Sequence, residues 1–220
     1  MSGKKTIVFG DVFHDYMKDR MKLKTYQKWG ILMLVIVVSG IFGWIYEFIF
    51  YFFDSGMQKF YMQGGDFLPW INIYAIGAIL ILFATWRLKR YPLAVFLVSV
   101  VTTGILEFVA GWLVYEVGGG TRYWDYNNEI LNFGNIGGFV CFRSVVFFGL
   151  SALILMYLIV PFCIYLAQVM SKKAFLILAI LLFAVVMVDE VGNLICKILE
   201  FPTAMDFYRG IGLEYKQGGI

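Results

Sequence analysis

The stretch from Trp29 to Phe53, WGILMLVIVVSGIFGWIYEFIFYFF, carries one charged residue, Glu47. About 20 apolar residues in a helix cross the roughly 30 Å hydrocarbon core of a bilayer. In lipid the backbone must satisfy its own hydrogen bonds, so spanning segments are helices or closed barrels, and a long uncharged run selects the helix. Four more stretches qualify: Leu68 to Trp86, Tyr91 to Tyr115, Ile136 to Leu166 and Ala174 to Cys196. Pro161 falls late in the fourth, where it is expected to kink or end a helix longer than the bilayer requires.

The rest of the composition agrees. Of 220 residues, 61% are apolar and 15% charged, far from the mix of a soluble domain. The expected fold is an all-α polytopic membrane helical bundle of about five transmembrane helices. A basic N-terminal tail covers residues 1–28, the membrane domain 29–196 and a C-terminal segment 197–220.

Lysine and arginine in short loops set orientation, because they resist translocation. Lys4, Lys5, Lys18, Arg20, Lys22, Lys24 and Lys28 in the tail, Arg87, Lys89 and Arg90 in one hairpin, and Lys172 and Lys173 in another alternate correctly for one side. These are twelve of the 18 basic residues, which places the N-terminus in the cytoplasm and the C-terminus outside. Only Asp11, Asp15 and Asp19 of the 15 acids lie on the inner side. The inner half is therefore strongly positive, as suits anionic headgroups, and the outer half negative.

The tail is too polar and charged for a signal peptide, so the first membrane helix is read as an uncleaved targeting signal. Phe13, Tyr16, Met17 and Met21 fall at helical spacing, which suits an interfacial helix on the inner leaflet; a disordered basic tail is the other reading. Cys141, Cys163 and Cys196 lie in or near helices, and no structural disulfide is expected. His14 is the sole histidine, which excludes a histidine-based intramembrane metal or catalytic site. No cofactor, metal or nucleic acid is implied; the bilayer is the first partner.

Charged residues inside membrane helices face a partner, a cavity or water. Glu47 shares a helix face with Gly40, Trp44 and Tyr51, and Gly40 with Gly43 permits a close neighbour. Reaching up to the headgroups is the plainer alternative for it. Glu107 lies deeper, on a face with Thr103, Gly104 and Gly111 that would let another helix approach. Arg143, early in the fourth helix, needs an anion, and Glu47, Glu107 and the Asp189-Glu190 pair are at comparable depth. Snorkelling to the headgroups is the alternative. Glu190, Asn193 and Lys197 lie along one side at the end of the fifth helix, an arrangement common at helix ends. Asn72, Asn132 and Asn135 fall near helix starts, where asparagine caps or binds.

At these residues the chain resembles the Putative ABC-transporter type IV family, the CmpB-like membrane proteins of bacteria. The matching pieces are Gly43-Trp44-Ile45-Tyr46-Glu47, Pro69-Trp70 with Ile73-Tyr74, and Gly104-Ile105-Leu106-Glu107-Phe108 with Gly111-Trp112. Trp124-Asp125-Tyr126, Asn132, and Gly138 with Cys141 and Gly149 complete them. In the family pattern an asparagine and an arginine stand where this chain has Gly137 and Phe139, and there are extra residues between Asn132 and Gly138. Arg143, four residues beyond Phe139, would share its helix face and supply the missing guanidinium. The resemblance implies a permease in the bacterial cell membrane. An ABC permease must also receive force from a cytosolic ATPase, and with both inner hairpins short only the tail could take that role. The chain has no Walker motif, so an ATPase would be a separate protein.

The leading functional expectation is a permease-like transporter component with an outward-facing polar and acidic site between helices. Its candidate substrate- or ion-binding residues are Glu47, Glu107, Arg143, Asp125, Asn72, Tyr74, Trp124, Asn132 and Glu190. A non-catalytic membrane assembly or scaffold subunit, as a homo-oligomer or with a separate partner, is the second reading. An intramembrane enzyme acting on a lipid at the outer leaflet is the third, with Glu47 or Glu107 as acid or base and Cys141 as the nucleophile candidate. No catalytic set is assigned.

Overall fold

The structure, a computed structural model, describes residues 7–215. Lys4 and Lys5 of the basic tail lie outside the described residues. Helices dominate: α1 (Phe9–Met17), α2 (Thr25–Asp54), α3 (Asn72–Thr85), α4 (Pro92–Val117), α5 (Phe142–Ile154), α6 (Val160–Val169), α7 (Lys172–Ile198) and α8 (Ala204–Gly210). By length and composition α2, α4, the continuous α5–α6 run and α7 can each cross a membrane, and α3, extended by a 3₁₀ turn to Leu88, is a shorter apolar helix.

The five apolar stretches recur as helices with shifted edges. The fourth begins at Phe142, not Ile136. Residues 136–140 instead fold into a tight turn closed by an Ile136–Val140 bridge, with Gly137 and Gly138 at positive φ. Apolar content alone could not separate this turn from the helix it precedes. Pro161 does not end that helix. A π-helical segment, Leu155–Ile159, precedes it, and this wider turn lets the chain pass the proline's missing N–H and continue to Val169.

Successive spans alternate in direction, which gathers the short basic hairpins and α1 at one end, the basic end, and the long loops with most carboxyls at the other, the acidic end. The α2 helix is central, packing along α3, α6 and α7, while α4 packs along α3 and α5. Toward the basic end the core is filled by Val35, Met156, Ile164 and Phe175. Here α1 is a docked helix. Val12 and Tyr16 are buried, Phe9 meets Tyr165 edge-on at 5.9 Å and Tyr16 meets Trp86 at 5.6 Å. Lys89, only 2% exposed, forms an ion pair with Asp19 just beyond α1 and lies over the rings of Tyr16 and Trp86. Arg90 joins the same carboxylate at 3.3 Å.

Gly40 and Gly43 of α2 admit the start of α3. A Cβ on Gly40 would come within 2.0 Å of the Trp70 ring, and one on Gly43 within 2.1 Å of Tyr74. The Ile71 N–H also donates to Gly40 O at 3.2 Å. The close neighbour expected at these glycines is thus the Trp70–Tyr74 segment.

The C-terminal segment turns back over the acidic end. Thr203 caps α8 with Asp206, the Tyr208 hydroxyl donates to Phe67 O at 2.9 Å, and residues 214–215 pair in parallel with Tyr61–Met62.

Candidate functional site

The acidic end holds a cavity of about 600 Å³, lined in part by Glu47, Tyr74, Glu107, Arg143 and Glu190. It lies between α2, α3, α4, α5 and α7. Hydrophobic burial fixes those helices, and each contributes its polar residue within about three turns of its end.

On α4, Ser99, Thr103, Glu107 and Gly111 are all buried, the four-residue spacing of one helix face. Gly104 meets Val145 of α5, so the small residues admit α5. Glu107 is 4% exposed. Its Oε1 accepts from the Tyr126 hydroxyl at 2.5 Å and its Oε2 from the Ser144 hydroxyl at 2.7 Å. Both partners come from the segment between α4 and the first turn of α5. Burial beside Glu107 pushes the Tyr126 hydroxyl well above the usual tyrosine range.

Arg143 pairs with none of the carboxyls expected for it. Its Nη2 donates to Glu129 Oε2 at 2.6 Å, and the Tyr51 hydroxyl donates to Glu129 Oε1 at 2.8 Å. The guanidinium also lies over the Phe50 ring at 3.9 Å. Glu129 belongs to the loop after α4, and its carboxyl is raised from its ordinary value by burial against the opposing pull of Arg143. Arg143 therefore forms its ion pair with a loop carboxylate and none with the helix carboxyls among the described residues. Glu47 faces the Tyr74 hydroxyl of α3.

The end of α7 braces the loop between α2 and α3. Asp189 accepts from Phe67 N at 3.2 Å and Leu68 N at 2.6 Å. Asn193 donates to Asp66 at 3.0 Å and accepts from Ala204 N at 2.9 Å. Glu190 accepts from Asn72 at 2.9 Å, and its carboxyl lies within hydrogen-bonding reach of the Asp66 carboxyl. Asp66 is raised to about 7, first by burial and then by the Glu190 carboxyl beside it.

Of the nine candidate residues, Glu47, Asn72, Tyr74, Glu107, Trp124, Arg143 and Glu190 line this cavity. Asp125 and Asn132 do not. Asp125 accepts from Asn127 N at 3.1 Å and Asn128 Nδ2 at 3.1 Å, closing a loop turn. Asn132 donates to Asn127 O at 3.2 Å. No helix is capped by the asparagines near its start: α5 is capped through Cys141 and Ser144, Asn72 serves Glu190, and Asn135 accepts from Gly138 N at 2.8 Å. Gly138 is required here, since φ is +80° and a Cβ would strike Asp125 at 2.4 Å.

Phe139 precedes α5, so Arg143 is not one helical turn from it. The guanidinium over the Phe139 ring belongs to Arg122, at 4.5 Å; Arg122 also donates to Gly137 O at 2.8 Å. Cys141 is 1% exposed, and the three cysteines are free. Sequence reasoning missed Glu129 and Ser144, and placed Tyr51 only on the helix face of Glu47. Tyr126 stood inside a quoted motif; Glu129 lies in an irregular polar loop without periodicity to mark it.

Residues 33–194 match the model of the family described as Putative ABC-transporter type IV. That span runs from the third turn of α2 to the last turns of α7; Lys197, Thr203 and Met205, which also line the cavity, lie beyond it. No curated protein and no solved structure matches the chain.

Proposed function

The chain belongs to the Putative ABC-transporter type IV family, and from that premise we propose that it is a permease-like component of the bacterial cell membrane whose cavity at the acidic end binds the transported ligand. It is a multi-pass membrane protein related to transporters. The observation that carries the finer reading is the convergence of Glu47, Glu107 and Arg143, from three helices, on one cavity with Glu190. Buried polar groups facing a cavity between membrane helices mark ligand or ion paths.

The basic end faces the cytoplasm in this reading, since the short hairpins there carry Arg87, Lys89, Arg90, Lys172 and Lys173. The cavity then opens outward. A partner ATPase would engage α1, which the Asp19 pair with Lys89 ties to the hairpin between α3 and α4. That contact gives a small cytoplasmic surface a direct mechanical link to the bundle.

Reconstitution tests this. Proteoliposomes holding the chain with an ATPase from the same membrane should move a ligand in an ATP-dependent way, and Glu107→Gln should reduce that flux while the protein stays folded. Flux unchanged in Glu107→Gln and in Glu47→Gln would refute the assignment of the cavity.

A further inference from the structure

We propose that the basic end carries a binding site for one anionic phospholipid headgroup, in the hollow where α1 meets the hairpin between α3 and α4. It needs only that this end lies at a membrane surface, so it stands apart from the reading of the cavity. The hollow is lined by Met17, Lys18, Arg20 and Arg90, and it exists because α1 docks. Asp19, at φ +56° in the turn that ends α1, is engaged from the bundle by Lys89, 2% exposed, and by Arg90 at 3.3 Å. Arg90 Nε also donates to Met17 O at 3.1 Å, one of the carbonyls that a helix end leaves unpaired. These contacts hold the side chains of Lys18, Arg20 and Arg90 around one opening.

The charge balance sets the sign of the ligand. Three cations line the hollow and no carboxylate does. Asp19, between Lys18 and Arg20 in the chain, is one carboxylate shared by two cations of the hairpin. Asp11 and Asp15 of α1 do not line the opening, and Asp15 sits 3.6 Å from His14. Lys18 and Arg20 form no ion pair among the described residues. Arg90 bonds through Nε and Nη2, and its side chain is 55% exposed. A phosphodiester, with two oxygens to accept from guanidinium and ammonium groups, fits these donors.

Depth points to a lipid as the carrier of that phosphate. Trp29, Trp86 and Tyr91, which are 60%, 40% and 65% exposed, stand at the same end of the bundle, in the first turns of α2, just after α3 and just before α4. Exposed tryptophan and tyrosine at the ends of membrane helices mark the level of the headgroups. Arg90 adjoins Tyr91 in the chain, which puts the hollow at that level. Basic pockets at helix ends there meet the phosphates of anionic lipids.

Native mass spectrometry of the full chain in a neutral detergent, titrated with phosphatidylglycerol, phosphatidylcholine or soluble glycerol 3-phosphate, tests the site. One phosphatidylglycerol should bind at least about tenfold more tightly than phosphatidylcholine, because each Lys or Arg near the surface strengthens binding to anionic lipid. Lys18→Gln with Arg20→Gln should remove most of that preference. Both side chains are exposed and neither forms an ion pair among the described residues, so neither holds the fold. Lys28→Gln with Lys173→Gln removes as much charge from the same end, outside the hollow, and should leave the preference unchanged. Equal affinity for the two lipids would overturn the proposal and leave these cations to an acidic partner surface. An equal loss in the two paired variants would overturn the assignment to this hollow. Glycerol 3-phosphate binding as tightly as phosphatidylglycerol would overturn the lipid as the source of the phosphate.

Discussion

Arg143, in the first turn of α5, and Glu129, in the loop after α4, form an ion pair of 2.6 Å whose side chains are 13% and 4% exposed. The pair fixes the loop over the cavity that Glu107 and Glu47 line. Breaking one side of a buried pair strands a charge, at a cost of about 3 to 5 kcal/mol, whereas replacing both partners with apolar residues is often close to neutral. Arg143→Leu should therefore lower the unfolding temperature in detergent strongly, and Arg143→Leu with Glu129→Leu should recover much of the loss. Equal destabilisation by the single and double variants would contradict the pairing.

Gly43→Ala should destabilise by about 1 to 3 kcal/mol, the usual range for overpacking, because its Cβ would meet Tyr74 at 2.1 Å. Gly192→Ala on α7, where nothing lies within 4 Å, should be neutral or stabilising by up to about 1 kcal/mol through helix propensity. Chemical unfolding of the two variants side by side checks the contrast.

The Asp66 carboxyl gives a pH dependence of definite sign. Its value is raised to about 7 by burial and by Glu190, so between the unfolded value and about 7 the folded state binds more protons than the unfolded one. Stability must then fall as pH rises across that window and level off above it. Thermal unfolding should show lower stability at about pH 8 than at about pH 5.5, and Asp66→Asn should reduce the difference.

The Asp19 carboxylate is held below its ordinary range by its hydrogen bond to Lys89 and by Arg90. A depressed acid contributes stability above its unfolded value and loses it as pH falls through the folded one. Asp19→Asn should raise amide exchange over α1 at neutral pH, with the α2–α7 core unchanged. Unaltered protection of residues 9–17 would show that the apolar contacts of Val12 and Tyr16 suffice to hold it.

Sequence alone exposed the spans because each is an unbroken apolar run, and it exposed Glu47, Glu107 and Arg143 because charge inside such a run stands out. Gly40 and Gly43 were legible as a contact face because helix geometry is regular and residues three apart share a face. The partner of Arg143 was not legible, since Glu129 reaches it from an irregular loop whose path depends on Asp125, Gly138 and Asn135 holding one another. Nor was the start of α5, where Ile136 to Val140 are as apolar as a helix but carry two glycines in left-handed turns. The docking of α1 depends on Lys89, a residue that reads as one more hairpin cation until the rings of Tyr16 and Trp86 are placed around it.

The most direct test of an outward-facing cavity is cysteine labelling in intact cells, with Cys141, Cys163 and Cys196 replaced by serine. Val114→Cys, in the cavity wall, should react with a membrane-impermeant maleimide added outside, and Lys22→Cys only after permeabilisation. Labelling of Lys22→Cys from outside, with Val114→Cys protected, would contradict the account.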